Sequence, residues 1–204
     1  TFGAQEDENG YMSRYSFEDA LRDKTILPLH FEPRLLDIHI DRDKVDEEFA
    51  AIANTLDEDA KITLSNKAAK MLEFLKSPER IEIVCKDIAQ HYQEKVEPQG
   101  FKAMIVTPDR EACHLYKQEL GKYFPDSASA VVISTSGKGE DELKRLYNLS
   151  KDEQEKLIEK FNKPDSELKF LIVTAKLLTG FDAPILQTMY LDKSLKDHTL
   201  LQAI

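Results

Sequence analysis

Two hydrophobic periods divide this chain. Up to residue 24 the apolar positions are sparse, and Ser16-Phe-Glu-Asp19 reads as a capped turn of helix. A short apolar run from Ile26 to Phe31, closed by Pro33, and an alternating stretch from Leu35 to Ile40 predict strands. From Asp43 to Val96 the spacing turns helical. Val45, Phe49 and Ile52 share one face; Ala68, Met71, Leu72 and Leu75 share a second behind a cap at Ser65; Ile81, Val84, Ile88 and Tyr92 mark a third. Stripes of this kind predict core packing.

After Pro98 and Gly100 the pattern alternates between strand and helix. Phe101 to Val106 predicts a buried strand, Arg110 to Leu120 a helix, Val131 to Ser134 a strand, and Ser150 to Phe161 a helix opened by the capping box Ser150-Lys-Asp-Glu153. Phe170 to Val173 and Ile185 to Leu191 predict two more strands, and Asp197 starts a final helix. Elements of these lengths in this order imply the α/β class, a parallel sheet with helices on both faces, plus a helical insert at about 43–97. In such sheets ligands gather where the strands end. Three strand-ending loops follow from the pattern: Thr107-Pro-Asp-Arg110, Thr174 to Asp182, and Asp192 onward.

Composition narrows the class. With 204 residues, 41% of them hydrophobic, the chain can bury one sizeable core or one core with a small helical appendage. Cys85 and Cys113 form no C-x-x-C pair and the histidines are scattered, which predicts a reducing cytoplasmic setting and no metal site. No apolar run approaches a membrane span, and no basic stretch leads into an apolar one at the start. The start at Thr1 and the stop at Ile204, inside an apparent helix, read as cuts through a longer protein. Net charge is -10, which taken alone argues against nucleic acid. Residues 1–60 hold 16 acidic and 6 basic side chains, so of the 38 acidic and 28 basic side chains in all, residues 61–204 keep 22 of each. The later part is neutral, and it can bind DNA at placed contacts but not through a broad basic field.

In the first strand-ending loop, the Thr107 hydroxyl, Arg110 and the N-H groups at a helix start together suit a phosphate. The plainer reading is that Thr107 or Asp109 caps the helix and Arg110 is solvated. In the second, Thr174 stands at a strand end, Gly180 permits close backbone approach, and Asp182 follows on a loop held by Pro184. A Gly-x-Asp turn by itself usually means only a turn.

The flanking residues carry more. TFG with Tyr15 and DALRD, then TILPLHFE, VTPDREA and LLTGFDAPILQTMYLDKSLKDHTLLQAI, closely resemble the HsdR motor subunit of type I restriction enzymes, which are superfamily 2 translocases. The resemblance runs along the whole chain and is weakest at 43–96 and 136–148. Ser194 stands where that family has proline, a departure that bears on loop stiffness. The resemblance implies an entry segment from the first motor lobe at residues 1–24 and a second RecA-like lobe at 25–204. It implies DNA-backbone contacts from Thr107 and Arg110 (motif IV) and Thr174 (motif V), and nucleotide contacts from Gly180, Asp182 and Gln202. Gln202-Ala-Ile resembles the start of motif VI, whose arginines would lie beyond Ile204, so no catalytic residue is expected here. ATP and Mg2+ are expected in the full-length enzyme and not on this piece, which alone should not hydrolyse ATP. The implied partners are double-stranded DNA, the first RecA-like lobe and nuclease domain of the same chain, and the modification and specificity subunits, with no membrane.

Other motifs fall away on spacing. Asp57-Glu-Asp-Ala60 has no apolar strand before it and reads as a solvated turn, not a Mg-binding box. Pro164-Asp165 and Glu167-Leu-Lys169 are too close together to occupy the two strands of a restriction-nuclease site. Gly137-Lys-Gly139 lacks the glycine and hydroxyl of a phosphate loop, and Asp197 and His198 are helix neighbours that do not face each other. Two competing readings are an interaction scaffold docking other subunits through 43–97, and a RecA-like lobe from another superfamily 2 remodelling ATPase.

Overall fold

The computed structural model describes residues 17–25, 28, 30–34, 71–135, 141–178, 181 and 183–193. They divide into two compact units, residues 1–35 and 36–204. In the first, α1 (Phe17–Arg22) forms where the capped turn was expected. Asp19 pairs with Arg22 at 2.8 Å, and the Thr25 hydroxyl donates to the Ala20 carbonyl at 3.1 Å, closing the helix end. Residues 28 and 30–34 carry no strand, so the described part of the strand expected from Ile26 to Phe31 is irregular. The strand expected at 35–40, the stripe at 45–52, Ser65 and Ala68 of the second stripe, and the helix from Asp197 lie outside the described residues; Met71 and Leu72 of that second stripe are exposed, so they do not pack in the core expected of them.

Among the described residues the second unit is built on four parallel strands, β1 (Lys102–Val106), β2 (Ser129–Val132), β3 (Phe170–Val173) and β4 (Leu186–Leu191), in the order β2-β3-β1-β4. Among the described residues the helices packed with them include α2 (Pro78–His91), α3 (Arg110–Leu120), α4 (Asp141–Tyr147) and α5 (Lys151–Asn162). Strand side chains alternate between faces. Ala103, Ile105, Phe170, Ile172 and Tyr190 meet Ile81, Val84 and Ile88 of α2 and Cys113, Tyr116 and Leu120 of α3. Met104, Val106, Leu171 and Val173 turn the other way, toward Phe161 of α5 and toward Leu168 and Leu178. Both faces are therefore covered, as the unbroken apolar run in β1 requires.

The third helical stripe packs as its spacing predicted. Ile81, Val84, Ile88 and Tyr92 are all buried against the sheet, so the stretch at 43–97, expected as an insert, supplies its last helix to the sheet's own core. The Tyr92 ring lies 4.4 Å from Phe170 and its hydroxyl donates to the Phe101 carbonyl at 3.1 Å. A wide turn over Tyr92–Val96 and a tight one over Glu97–Gln99 then unwind the helix, and Gly100 at φ 79 reverses the chain into β1. Only glycine takes that backbone without strain.

Two boundaries differ from the sequence pattern. β2 occupies 129–132, not 131–134, because its partner decides where it stops: Val132 lies opposite Val173, the last residue of β3. α4 was not anticipated. Its seven residues are too short to show a period, and it is held from outside, by Tyr147 bonding His114 of α3 at 2.7 Å.

A register shift lets β4 serve two faces. Lys102 pairs with Leu186 but Ala103 with Thr188, so Gln187 is passed over. Without the extra residue Leu186 and Met189 would face opposite sides; with it both pack on the α5 side.

Lys102 is buried in the same strand. Its ammonium donates to the carbonyls of Phe161 at 2.7 Å and Lys163 at 2.6 Å, groups that the end of α5 leaves without helical partners. It also sits 5.4 Å from the centre of the Phe161 ring. Burial, with Lys169 nearby, lowers its pKa to about 8.

Two outcomes follow for stability. The capping box on α5 is complete, with the Ser150 hydroxyl accepting from the Glu153 N-H at 3.3 Å and the Glu153 carboxylate accepting from the Ser150 N-H at 2.9 Å. Ser150→Ala should cost about 1 kcal/mol in urea unfolding; an unchanged midpoint would show that the box contributes nothing. Lys102 has a folded-state pKa below the usual lysine 10.5, so between about 8 and 10.5 the unfolded chain holds more protons. Its contribution to stability should therefore rise with pH across that window. Subtracting the pH profile of Lys102→Met from that of the wild type should isolate the rise, and parallel profiles would refute it.

Candidate functional site

All four strands point the same way, so their C-terminal ends share one edge. The turns leaving β1 and β3 are adjacent there: Val106 is level with Val173, and the Thr107 N-H donates to the Val173 carbonyl at 2.9 Å. Thr107, Arg110 and Thr174, 67 residues apart in sequence at the extremes, are thus brought together by pairing of parallel strands.

Their side chains do different things. Thr107 is fully buried. Its hydroxyl donates to the Asp109 carbonyl at 2.9 Å and lies 3.0 Å from Cys113 Sγ, whose S-H can donate back. Burial pushes the Cys113 thiol up to about 12, so it stays protonated. A Thr107 hydroxyl turned inward in this way is not presented to a DNA phosphate, and the expected backbone contact through that hydroxyl is not made available here. The capping reading describes it: Asp109, in extended backbone, accepts the Ala112 N-H at 2.8 Å and starts α3. Arg110 is the first residue of α3 and half-buried; Thr174 is half-buried one residue past β3. Gly180, Asp182 and Gln202 lie outside the described residues.

The described residues between β3 and β4 pack on the α5 side of the sheet and hold no helix. Leu178 is buried, and Leu177, Phe181, Ala183 and Ile185 pack on the same cluster. Leu177 is held at φ 67, left-handed backbone that costs a branched residue about 1 kcal/mol. Packing against the sheet supplies the compensation, and strain of this kind gathers at functional loops.

The turn leaving β4 is the most tightly held. Asp192 continues the ladder, its N-H donating to the Val106 carbonyl at 2.9 Å. Its carboxylate takes a two-pronged hydrogen bond from Arg80 of α2, one prong at 2.9 Å, and a third from the Tyr116 hydroxyl of α3 at 2.6 Å. The Arg80 and Asp192 side chains are 11% and 12% exposed, so this is an ion pair largely removed from water. The Asp192 hydrogen bond pushes the Arg80 pKa up, and burial, with Asp192 alongside, pushes the Tyr116 phenol up. The guanidinium therefore stays charged and the phenol stays a donor. Four residues before Arg80, Lys76 reaches the β1 exit, pairing with Asp109 at 3.2 Å and with Glu111.

Sequence reasoning did not find Arg80, Tyr116 or Lys76. One signal was in the residues themselves: Asp192 is a charge directly after a half-buried, largely apolar strand, and a charge drawn into such a setting demands a partner. Nothing in one sequence says that the partner stands 112 residues away. The engagement of the two edge carboxylates also bears on metal. Asp109 is taken by Ala112 and Lys76, and Asp192 by Arg80 and Tyr116, so neither offers a spare oxygen pair for Mg2+. Among the described residues no cluster of three or more His, Cys, Asp or Glu side chains is placed to hold a metal.

Comparison with known proteins supplies the context. The family model for type I restriction enzyme subunit R domain 3 matches residues 47–204, and that for SWI2/SNF2 ATPase matches residues 1–62. A putative type I restriction enzyme endonuclease subunit, MjaIXP of Methanocaldococcus jannaschii, is 33% identical over 198 residues, which are 95% of this chain and 19% of that protein. The HindI endonuclease subunit of Haemophilus influenzae is 33% identical over 203 residues, again 95% of this chain and 19% of the relative. The chain thus spans about a fifth of the length of these relatives. Among solved structures, the C-terminal domain of a Sulfolobus solfataricus SWI2/SNF2 ATPase aligns with a TM-score of 0.47 at 16% identity, covering 73% of this chain and 70% of that one. With domain 3 of subunit R matched across residues 47–204, the chain belongs to the type I restriction enzyme subunit R family.

Proposed function

We propose that this chain is the second motor lobe of an ATP-dependent translocase of double-stranded DNA, within the R subunit of a type I restriction-modification enzyme. The observation that carries the reading is the shared carboxyl edge: a parallel sheet in this family sets the Arg110 helix start and Thr174 on adjacent strand ends. That is where α/β sheets bind ligands. A guanidinium at a helix start and a hydroxyl on the next strand end suit two points along a phosphate backbone, which are read by position and not by sequence.

In this reading Thr107 shapes the turn while Arg110 and Thr174 touch the DNA. Gly180, Asp182 and Gln202 are the residues this reading assigns to nucleotide, with the phosphates and Mg2+ assigned chiefly to the first lobe. ATP, when bound between the lobes, would supply the energy for each step, and this lobe's Arg110 and Thr174 would hold the DNA backbone while the lobes close. The nuclease domain of the same chain and the modification and specificity subunits complete the enzyme, which acts on DNA in the cytoplasm. Among the described residues no helix is long and apolar enough to cross a membrane.

The test uses the full-length subunit assembled with its partners. Arg110→Ala should weaken binding to duplexes of any sequence and lower the slope of log K against log salt by about 1. Thr107→Val should leave that slope unchanged while costing about 1 kcal/mol of stability through the lost hydrogen bond. A salt slope indifferent to Arg110→Ala would remove Arg110 from the DNA interface. Sequence-dependent loss would contradict backbone reading.

A further inference from the structure

A short junction in the chain holds two of the strand exits at once. Residues 71–75 are helical, Ser77 breaks the run, and Pro78 at the first position restarts it as α2. On either side of the break stand Lys76 and Arg80. Lys76 grips the β1 exit through Asp109 and Glu111; Arg80 grips the β4 exit through Asp192 and also donates to the Leu75 carbonyl at 3.1 Å. Tyr116 closes the triangle, since it belongs to α3, whose first turn is the β1 exit itself. β1 and β4 are neighbouring strands, so the two exits lie side by side under this junction.

General stability does not explain the arrangement. A buried ion pair gains little over apolar side chains of the same volume, because removing both charges from water offsets most of their attraction. What a two-pronged arginine pair does supply is fixed geometry. If the junction shifts, both exits must shift with it, because each is tied by charge and not by sliding apolar contact.

We infer that Lys76 and Arg80 are positioning residues that lock the turns leaving β1 and β4 into one moving unit, coupling DNA at the first to nucleotide state sensed beyond the second. The inference rests on the motor reading above. In that reading the β1 exit carries Arg110 against the DNA backbone, and the β4 exit comes before Gln202 in the chain, the residue assigned to nucleotide. Coupling between two ligands is reciprocal, so it can be read from either one.

The experiment measures the dissociation constant of a labelled duplex for the full-length subunit in its complex, with and without Mg2+ and a non-hydrolysable ATP analogue. The ratio of the two constants is the coupling factor. The wild type should show a ratio of about five or more in one direction. Arg80→Met/Asp192→Asn removes both members of the pair and so leaves no buried charge unpaired. It should bring the ratio to within about twofold of one, while each ligand alone still binds within about threefold of wild type. Lys76→Ala, which cuts the more exposed arm, should lower the ratio part of the way and keeps the test available if the double variant does not fold by circular dichroism. A purely structural role would lower the melting temperature and the fraction of active protein but leave the ratio of the folded molecules at its wild-type value. That result, in either variant, overturns the inference, as does a wild-type ratio of one. If the wild type binds neither duplex nor analogue, the motor reading falls and the inference with it, a result distinguishable from unaltered coupling.

Discussion

The forked bond between Arg80 and Asp192 organises the carboxyl edge of this molecule. It joins the start of α2 to the end of β4, and Tyr116 draws α3 into the same carboxylate. Each partner meets a need the others create. Asp192 follows a strand packed on both faces, where an unpaired charge would cost several kcal/mol. Arg80 directly precedes Ile81, the first apolar position that α2 lays on the sheet, so its head cannot easily reach water. The two charges solve each other's burial, and in doing so they settle where α2 begins against the strand ends.

The rest of the fold shows the same exchange of demands between elements. β1 is central and buried along its whole length, yet it begins with a lysine. Lys102 is tolerated because α5 ends above it with carbonyls that no helical N-H can reach, and the ammonium fills that vacancy. On the neighbouring strand, passing over Gln187 keeps Leu186 and Met189 on one side of the sheet. Both devices sit on the α5 side, where the described residues between β3 and β4 find their packing without a helix.

Much of the architecture was legible from residue pattern. The period of β1, α3, α5, β3 and β4 is strong enough to place each within a residue or so of where it lies, because burial on one face or two imposes a spacing that survives any tertiary detail. The Ser150 capping box and the Asp109 cap are local chemistry and were readable as such. The α2 stripe was read correctly as core, but a single sequence does not say which core, and it is the sheet's own. The candidate site was half legible. That Thr107, Arg110 and Thr174 would share an edge follows from strand polarity. That the Thr107 hydroxyl would turn inward to Asp109 and Cys113 does not, since a hydroxyl at a strand end serves a phosphate or a helix cap equally well.

The amino-acid sequence by itself determined most of the elements, the parallel sheet, its carboxyl edge and the family, because each depends on spacing or on residues close together in the chain. Tertiary structure decided which charges meet. Lys76, Arg80, Tyr116 and Asp192 come from the start of α2, the middle of α3 and the end of β4, and no local rule relates them. The physical reason is that a charge near a buried surface is constrained to have a partner but not told where to find one. Only the packing of α2 and α3 on one face of the sheet, with β4 beside β1, brings the arginine, the phenol and the carboxylate within hydrogen-bonding distance.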